Sequence, residues 1–120
     1  MKVLIAALAA LVASCGGDDV VVCTAEARSG LVVTVRDSVS GSPVTNGAEV
    51  VAREGAYADT ARASLISSGV YSLAVERAGT YEVTVDHPAY RQWRRVGVTV
   101  TRDECHVQTV NLLARVQPGG

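Results

Sequence analysis

The run Thr80-Tyr-Glu-Val-Thr-Val85 constrains this chain most, because it alternates without a slip. Tyr81, Val83 and Val85 fall on one side; Thr80, Glu82, Thr84 and Asp86 fall on the other. Successive side chains of a strand point to opposite faces, so a period of two marks one buried and one wet face. Tyr81, Val83 and Val85 are therefore expected between two sheets, with Glu82 and Thr84 exposed. A second β-type run, Val70–Val75, precedes it across Glu76-Arg77-Ala78-Gly79. The two read as a hairpin with Gly79 taking positive φ at its tip. Pro88 lacks an amide proton, bars further sheet pairing and ends the second strand.

The rest of the chain reads as more strands around this pair. Its 120 residues allow one domain, and without any Phe the core must be filled by Val. Such β-branched composition suits a sheet better than a helix bundle. Leu31–Arg36 and Ala48–Arg53 are strands, separated by a Ser-, Gly- and Pro-containing turn over Ser38–Gly47. In that turn Gly41 and Gly47 are expected at positive φ, and Pro43 presets its own φ. Glu54-Gly55 breaks or bulges the second strand, and Tyr57–Ile66 is an edge strand. Arg94–Val100 places Val96, Val98 and Val100 at period two. His106–Val116 is the last strand, with a bulge where its apolar residues change parity after Val107. About seven short strands with regular turns predict an all-β fold, a seven-stranded antiparallel or mixed Greek-key β-sandwich.

A different pattern occupies the N-terminus, where a signal helix is expected to precede the sandwich. Met1-Lys2 is positive, Val3–Leu11 is unbroken apolar sequence, and Val12-Ala13-Ser14 leads into Cys15. A charged start, a short apolar core and small residues describe an export signal too short to span a membrane. Val12-Ala13-Ser14-Cys15 resembles the lipobox of bacterial lipoproteins, with Val where Leu is usual. The resemblance implies cleavage before Cys15 and lipid on its thiol. The plain alternative is an ordinary signal with a cysteine nearby by chance. Gly16-Gly17-Asp18-Asp19 reads as a flexible tether. By resemblance to sorting rules, Gly after the lipidated Cys permits transfer to the outer membrane, facing the periplasm or the surface. The divisions are thus 1–14 signal peptide, 15–29 lipidated Cys and tether, 30–116 sandwich, and 117–120 tail.

Two cysteines remain, Cys23 and Cys105. In an oxidising compartment an even pair forms a disulfide. No Cys-x-x-Cys occurs, and neither His87 nor His106 stands at metal-ligand spacing from them. No metal or cofactor is expected.

The strands then carry a resemblance. Gly30-Leu-Val-Val-Thr-Val-Arg-Asp37, Gly41-Ser-Pro-Val-Thr-Asn-Gly-Ala-Glu-Val50, Gly69-Val-Tyr-Ser-Leu73 and Ala78-Gly-Thr-Tyr-Glu-Val-Thr-Val85 resemble the carboxypeptidase regulatory-like domains. The resemblance spans Gly30 to Val116 and implies a seven-stranded, prealbumin-like sandwich. The family accompanies peptidases but is not itself the catalyst. The family often has Thr-Asp or Thr-Asn a few residues before the position of Gly69, and here Ser67-Ser68 stand close by; Ala89-Tyr90 stand where it has Gly-Tyr.

Chemistry is sparse. Asp86-His87 suggests an acid–base pair, yet sequence neighbours seldom assemble a triad, and a His beside Pro88 reads more simply as an exposed turn residue. His106 reads as a strand surface residue. One cluster stands out: Tyr90-Arg91-Gln92-Trp93-Arg94-Arg95, which holds the only Trp, with Arg102 later. Aromatic rings beside guanidinium groups suit glycans or a protein partner. The plain alternative makes Tyr90 and Trp93 sandwich plugs with arginines over the edge. On a regular strand the two point opposite ways, and Trp93 is expected to be the exposed one. The net charge of −1 shows no polyanion-binding signature, and nucleic acid is not an expected partner. These features describe an exported, lipid-anchored, non-catalytic module. It would hold the membrane through its lipid and bind an envelope protein or, alternatively, a carbohydrate.

Overall fold

Valine at alternate positions sets the strands, and the connections between them set how they divide. The structure, a computed structural model, describes residues 20–119. The expected signal helix and Cys15 lie outside the described residues. Seven strands follow one another: β1 (Ser29–Asp37), β2 (Glu49–Glu54), β3 (Tyr57–Ala61), β4 (Val70–Val75), β5 (Gly79–His87), β6 (Tyr90–Val100) and β7 (Val110–Val116). They form a mixed β-sandwich of two sheets, ordered β4-β1-β7 and β3-β2-β5-β6. β1 is antiparallel to β4 and parallel to β7, so the first and last strands lie side by side.

The inner faces meet as the alternation requires. Leu31, Val33 and Val35 of β1 oppose Val50 and Ala52 of β2, and Tyr81, Val83 and Val85 of β5, all buried in one core cluster. Tyr71 brings a hydroxyl into this core and donates it to the Val44 carbonyl at 2.8 Å, which satisfies the buried group. Glu54 and Tyr57 pair across Gly55-Ala56, and Gly55 has φ +57°. That Gly therefore makes a tight hairpin, and only the short β3 forms the edge there. Gly41 and Gly47 have the expected positive φ, 77° and 83°.

Several expectations are corrected. β4 and β5 are not a hairpin: they lie in different sheets, and Glu76–Ala78 arches between them. Both connections need a polar turn between two strands, so local sequence does not separate them. The positive φ values fall on Ala74 and Glu76, at 54° and 50°, not on Gly79. Gly79 instead leaves room for a carboxylate. A Cβ there would lie 2.5 Å from Glu54 Oε1, whose carboxylate accepts the Thr80 amide at 2.7 Å. Pro88 ends β5 but not the pairing, because His87 pairs with Tyr90 across Pro88-Ala89. β6 consequently starts at Tyr90 rather than at Arg94.

The last strand starts at Val110, not His106; Val107 bridges to Arg102 within the β6–β7 loop. The change of parity marks that loop and not a bulge. Val96 is exposed, because Gly97 at φ +70° inserts an extra residue between it and Val98. Thr84 is buried on the outer face, between Val51 and Arg94. Arg94 pairs with Glu82 there, and such long side chains cover their neighbours with their methylene stems. Gln117–Gly119 is tied down: the Gln117 carbonyl accepts the Arg91 amide at 2.8 Å, and the Gly119 amide donates to Ala89 at 3.0 Å.

Candidate functional site

β6 forms one edge of the four-stranded sheet and β7 one edge of the three-stranded sheet, and the two strands touch. The register of β6 decides what it presents there. Val85 pairs with Trp93 and His87 with Tyr90, so two steps along β5 match three along β6. The extra residue is a bulge. It turns Tyr90 and Trp93, three apart in sequence, toward the same side. Both are half-buried and pack against the core. Trp93 is therefore not the freely exposed residue that a regular strand implies.

Tyr90 serves the fold. Its hydroxyl donates to Asp37 Oδ2 at 2.8 Å, and its ring meets His87 edge-on at 4.9 Å. Amides of Ser40 and Val39 also donate to Asp37. The Ser40 amide first, then the Tyr90 hydroxyl, hold the Asp37 carboxyl below its usual range. Trp93 keeps part of its ring open, with the Arg95 guanidinium 5.1 Å from the ring centre. Gln92 Nε2 donates to Asp86 Oδ1 at 2.9 Å.

Around Trp93 lies a shallow groove of about 280 Å³. Arg91, Gln92 and Arg94 line it from β6, and Arg115 and Gln117 from the end of β7. Arg115 and Gln117 are the residues that sequence reasoning missed. Alternation with Leu112, Ala114 and Val116 shows that Arg115 points outward, but only the topology puts it beside β6. Arg102 bridges to Val107 in the β6–β7 loop and does not line the groove. Among the described residues, three guanidinium groups and no carboxylate line the cavity. Arg94 has Glu82 as its partner; Arg91 and Arg115 form no ion pair among the described residues.

A second cluster gathers at the opposite end, where β1 and β7 begin. Cys23 and Cys105 are disulfide-bonded, with Cα atoms 5.2 Å apart, as the pairing of the two remaining cysteines predicts. His106 is buried rather than a strand surface residue. Its Nδ1 donates to Glu76 Oε2 at 2.6 Å, and the Thr24 hydroxyl donates to its Nε2 at 2.9 Å when the ring is neutral. Glu76 also accepts the Arg28 amide at 2.9 Å and the Val107 amide at 3.2 Å. The His106 hydrogen bond is the main reason its carboxyl sits below the usual range. Glu76 thus joins the segment before β1, the β4–β5 arch and the β6–β7 loop.

The order hydroxyl, imidazole, carboxylate is that of a proton relay, but here each member carries structure. Both Glu76 oxygens are occupied by backbone amides, and Thr24 belongs to the segment being clamped. His87 is committed likewise: Nε2 donates to the Asn46 carbonyl at 2.8 Å and Nδ1 accepts the Ala89 amide at 3.0 Å. Among the described residues no three His, Cys, Asp or Glu side chains stand where they could share a metal ion.

The family model of the carboxypeptidase regulatory-like domain matches residues 30–113, from β1 into β7. No curated protein matches the chain.

Proposed function

This chain belongs to the carboxypeptidase regulatory-like domain family, a non-catalytic group, and from that premise we propose a lipid-anchored protein-interaction module of the bacterial envelope. The exported state rests on the charged start, apolar run and small residues before Cys15. Lipid on Cys15 is the anchor and the tether runs from it only as far as Cys23, because Cys23, Thr24 and Arg28 are clamped to the sandwich, which corrects the expected tether over 15–29. That leaves 30–116 as the working domain.

One observation carries the binding role. The groove at Trp93 lies where β6 begins and β7 ends, the end of the sandwich opposite the Cys23–Cys105 bond. A chain tethered through its N-terminus holds that groove away from the membrane. An open Trp edge among guanidinium groups has the composition of interface hot spots. The test is capture from envelope extracts by the full chain and by its Trp93→Ala variant. Loss of the partner with cooperative unfolding retained supports the reading; unchanged capture removes it. The lipid is tested separately: Cys15→Ala should lose both the lipid mass and the membrane fraction.

A glycan is the second reading, and the groove itself favours it. Gln92 and Gln117 supply amides beside the indole, a combination that suits sugar hydroxyls. Retention of Trp93-dependent binding on cell-wall or surface polysaccharide, with none to envelope protein, would select this reading.

A further inference from the structure

We infer that the groove between β6 and β7 takes an acidic segment of a protein partner, received by Arg91 and Arg115. The inference rests on the protein-interaction reading and specifies its chemistry. The chain as a whole is close to neutral, at −1. The groove is not: Arg91, Arg94 and Arg115 line it, and Arg95 stands over the Trp93 ring.

The nearby carboxylates are already engaged. Glu82 faces Arg94, Asp86 accepts from Gln92, and Asp37 accepts from Tyr90, Val39 and Ser40. Among the described residues Arg91 and Arg115, on two different sheets, form no ion pair. A guanidinium fork matches a carboxylate in a planar, two-bond geometry. Arginines on either side of one groove therefore suit two carboxylates of one segment.

Binding by strand addition along β6 fits the structure less well. That edge is interrupted by two register shifts, and the Arg91 amide is taken by Gln117. Bulges and arginines are how natural edges resist another strand. Side-chain recognition in the groove is left, with the Trp93 ring as its apolar contact.

The experiment measures binding of three probes to the full chain: a Glu-rich decapeptide, its Gln-rich counterpart, and polygalacturonate. The inference expects the Glu-rich peptide to bind, the Gln-rich peptide to bind at least tenfold more weakly, and added salt to weaken the acidic peptide. Arg91→Gln and Arg115→Gln should each weaken it by about tenfold, which is about 1.4 kcal/mol. Arg102→Gln, outside the groove, should leave affinity unchanged. Equal binding of the two peptides, or no effect of either groove variant, overturns the inference. Tighter binding of polygalacturonate overturns it and assigns the groove to an acidic glycan. Failure of the protein-interaction reading is separable: there Trp93→Ala leaves envelope capture intact, whatever the peptides do.

Discussion

Glu76 accepts a hydrogen bond from His106 Nδ1 at 2.6 Å, and the two residues sit on different loops at the same end of the sandwich. The contact makes Glu76 a staple for three segments, and its carboxyl is held below the usual range by that bond first and by the Arg28 amide second.

This sets a pH dependence. A carboxyl whose folded pKa is depressed contributes stability above its unfolded value, about 4.3, and loses it as pH falls through the folded value. Glu76→Gln should unfold at lower temperature than wild type at pH 7. The gap should shrink below about pH 4, as thermal melts across pH 2–7 would record. A constant gap would mean that the carboxylate charge is not what matters.

Breaking the disulfide should cost more than any single side chain. Cys23 and Cys105 stand 82 positions apart, and loop-closure entropy sets an upper figure of about 4–5 kcal/mol. Urea midpoints of Cys23→Ser, and of the double variant with Cys105→Ser, should fall together. A midpoint shift worth less than about 1 kcal/mol would show that the unfolded chain is constrained by other means.

The core of β5 offers a pair of opposite changes. Val83→Ala removes buried methyls and should destabilise by about 1–3 kcal/mol. One residue on, the Thr84 hydroxyl is buried on the outer face with no hydrogen-bond partner. Thr84→Val removes that unmet group at almost constant volume and should stabilise by about 1 kcal/mol. Denaturant titration reads both, and destabilisation by Thr84→Val would reveal a partner for the hydroxyl.

Trp93→Ala should lower stability and still fold. Its ring packs partly on the core and partly borders the groove, so about 1–2 kcal/mol is expected, below the cost of a fully buried Trp. Loss of cooperative melting would place its main role in packing.

Much of this fold was legible, and the reasons for the rest are specific. Alternation at Tyr81, Val83 and Val85 located a strand and its inner face, because one burial decision repeats at every second residue. It could not say which sheet Val70–Val75 joins, since a hairpin and an arch between sheets share the same polar turn. The bulges in β6 defeated face assignment at Trp93 and Val96, because one inserted residue inverts every later prediction. Thr84 looked wet by parity, yet Val51 and the Arg94–Glu82 pair enclose it. The Trp- and Arg-rich half of the candidate site stood out in sequence. Arg115, Gln117 and the Glu76 staple did not, because their neighbours come from remote strands and loops.

The parallel pairing of β1 with β7 has a consequence for synthesis. A chain emerges N-terminus first, so Leu31–Asp37 exists long before Val110–Val116, its partner along one side. Until then the three-stranded sheet is two strands with a bare, valine-rich flank, and Cys23 has no Cys105 to meet. Contacts of such long sequence separation are slow to form and leave the growing chain open to wrong pairings. The early strands wait on the late ones, so the pace of synthesis sets when this sandwich can close.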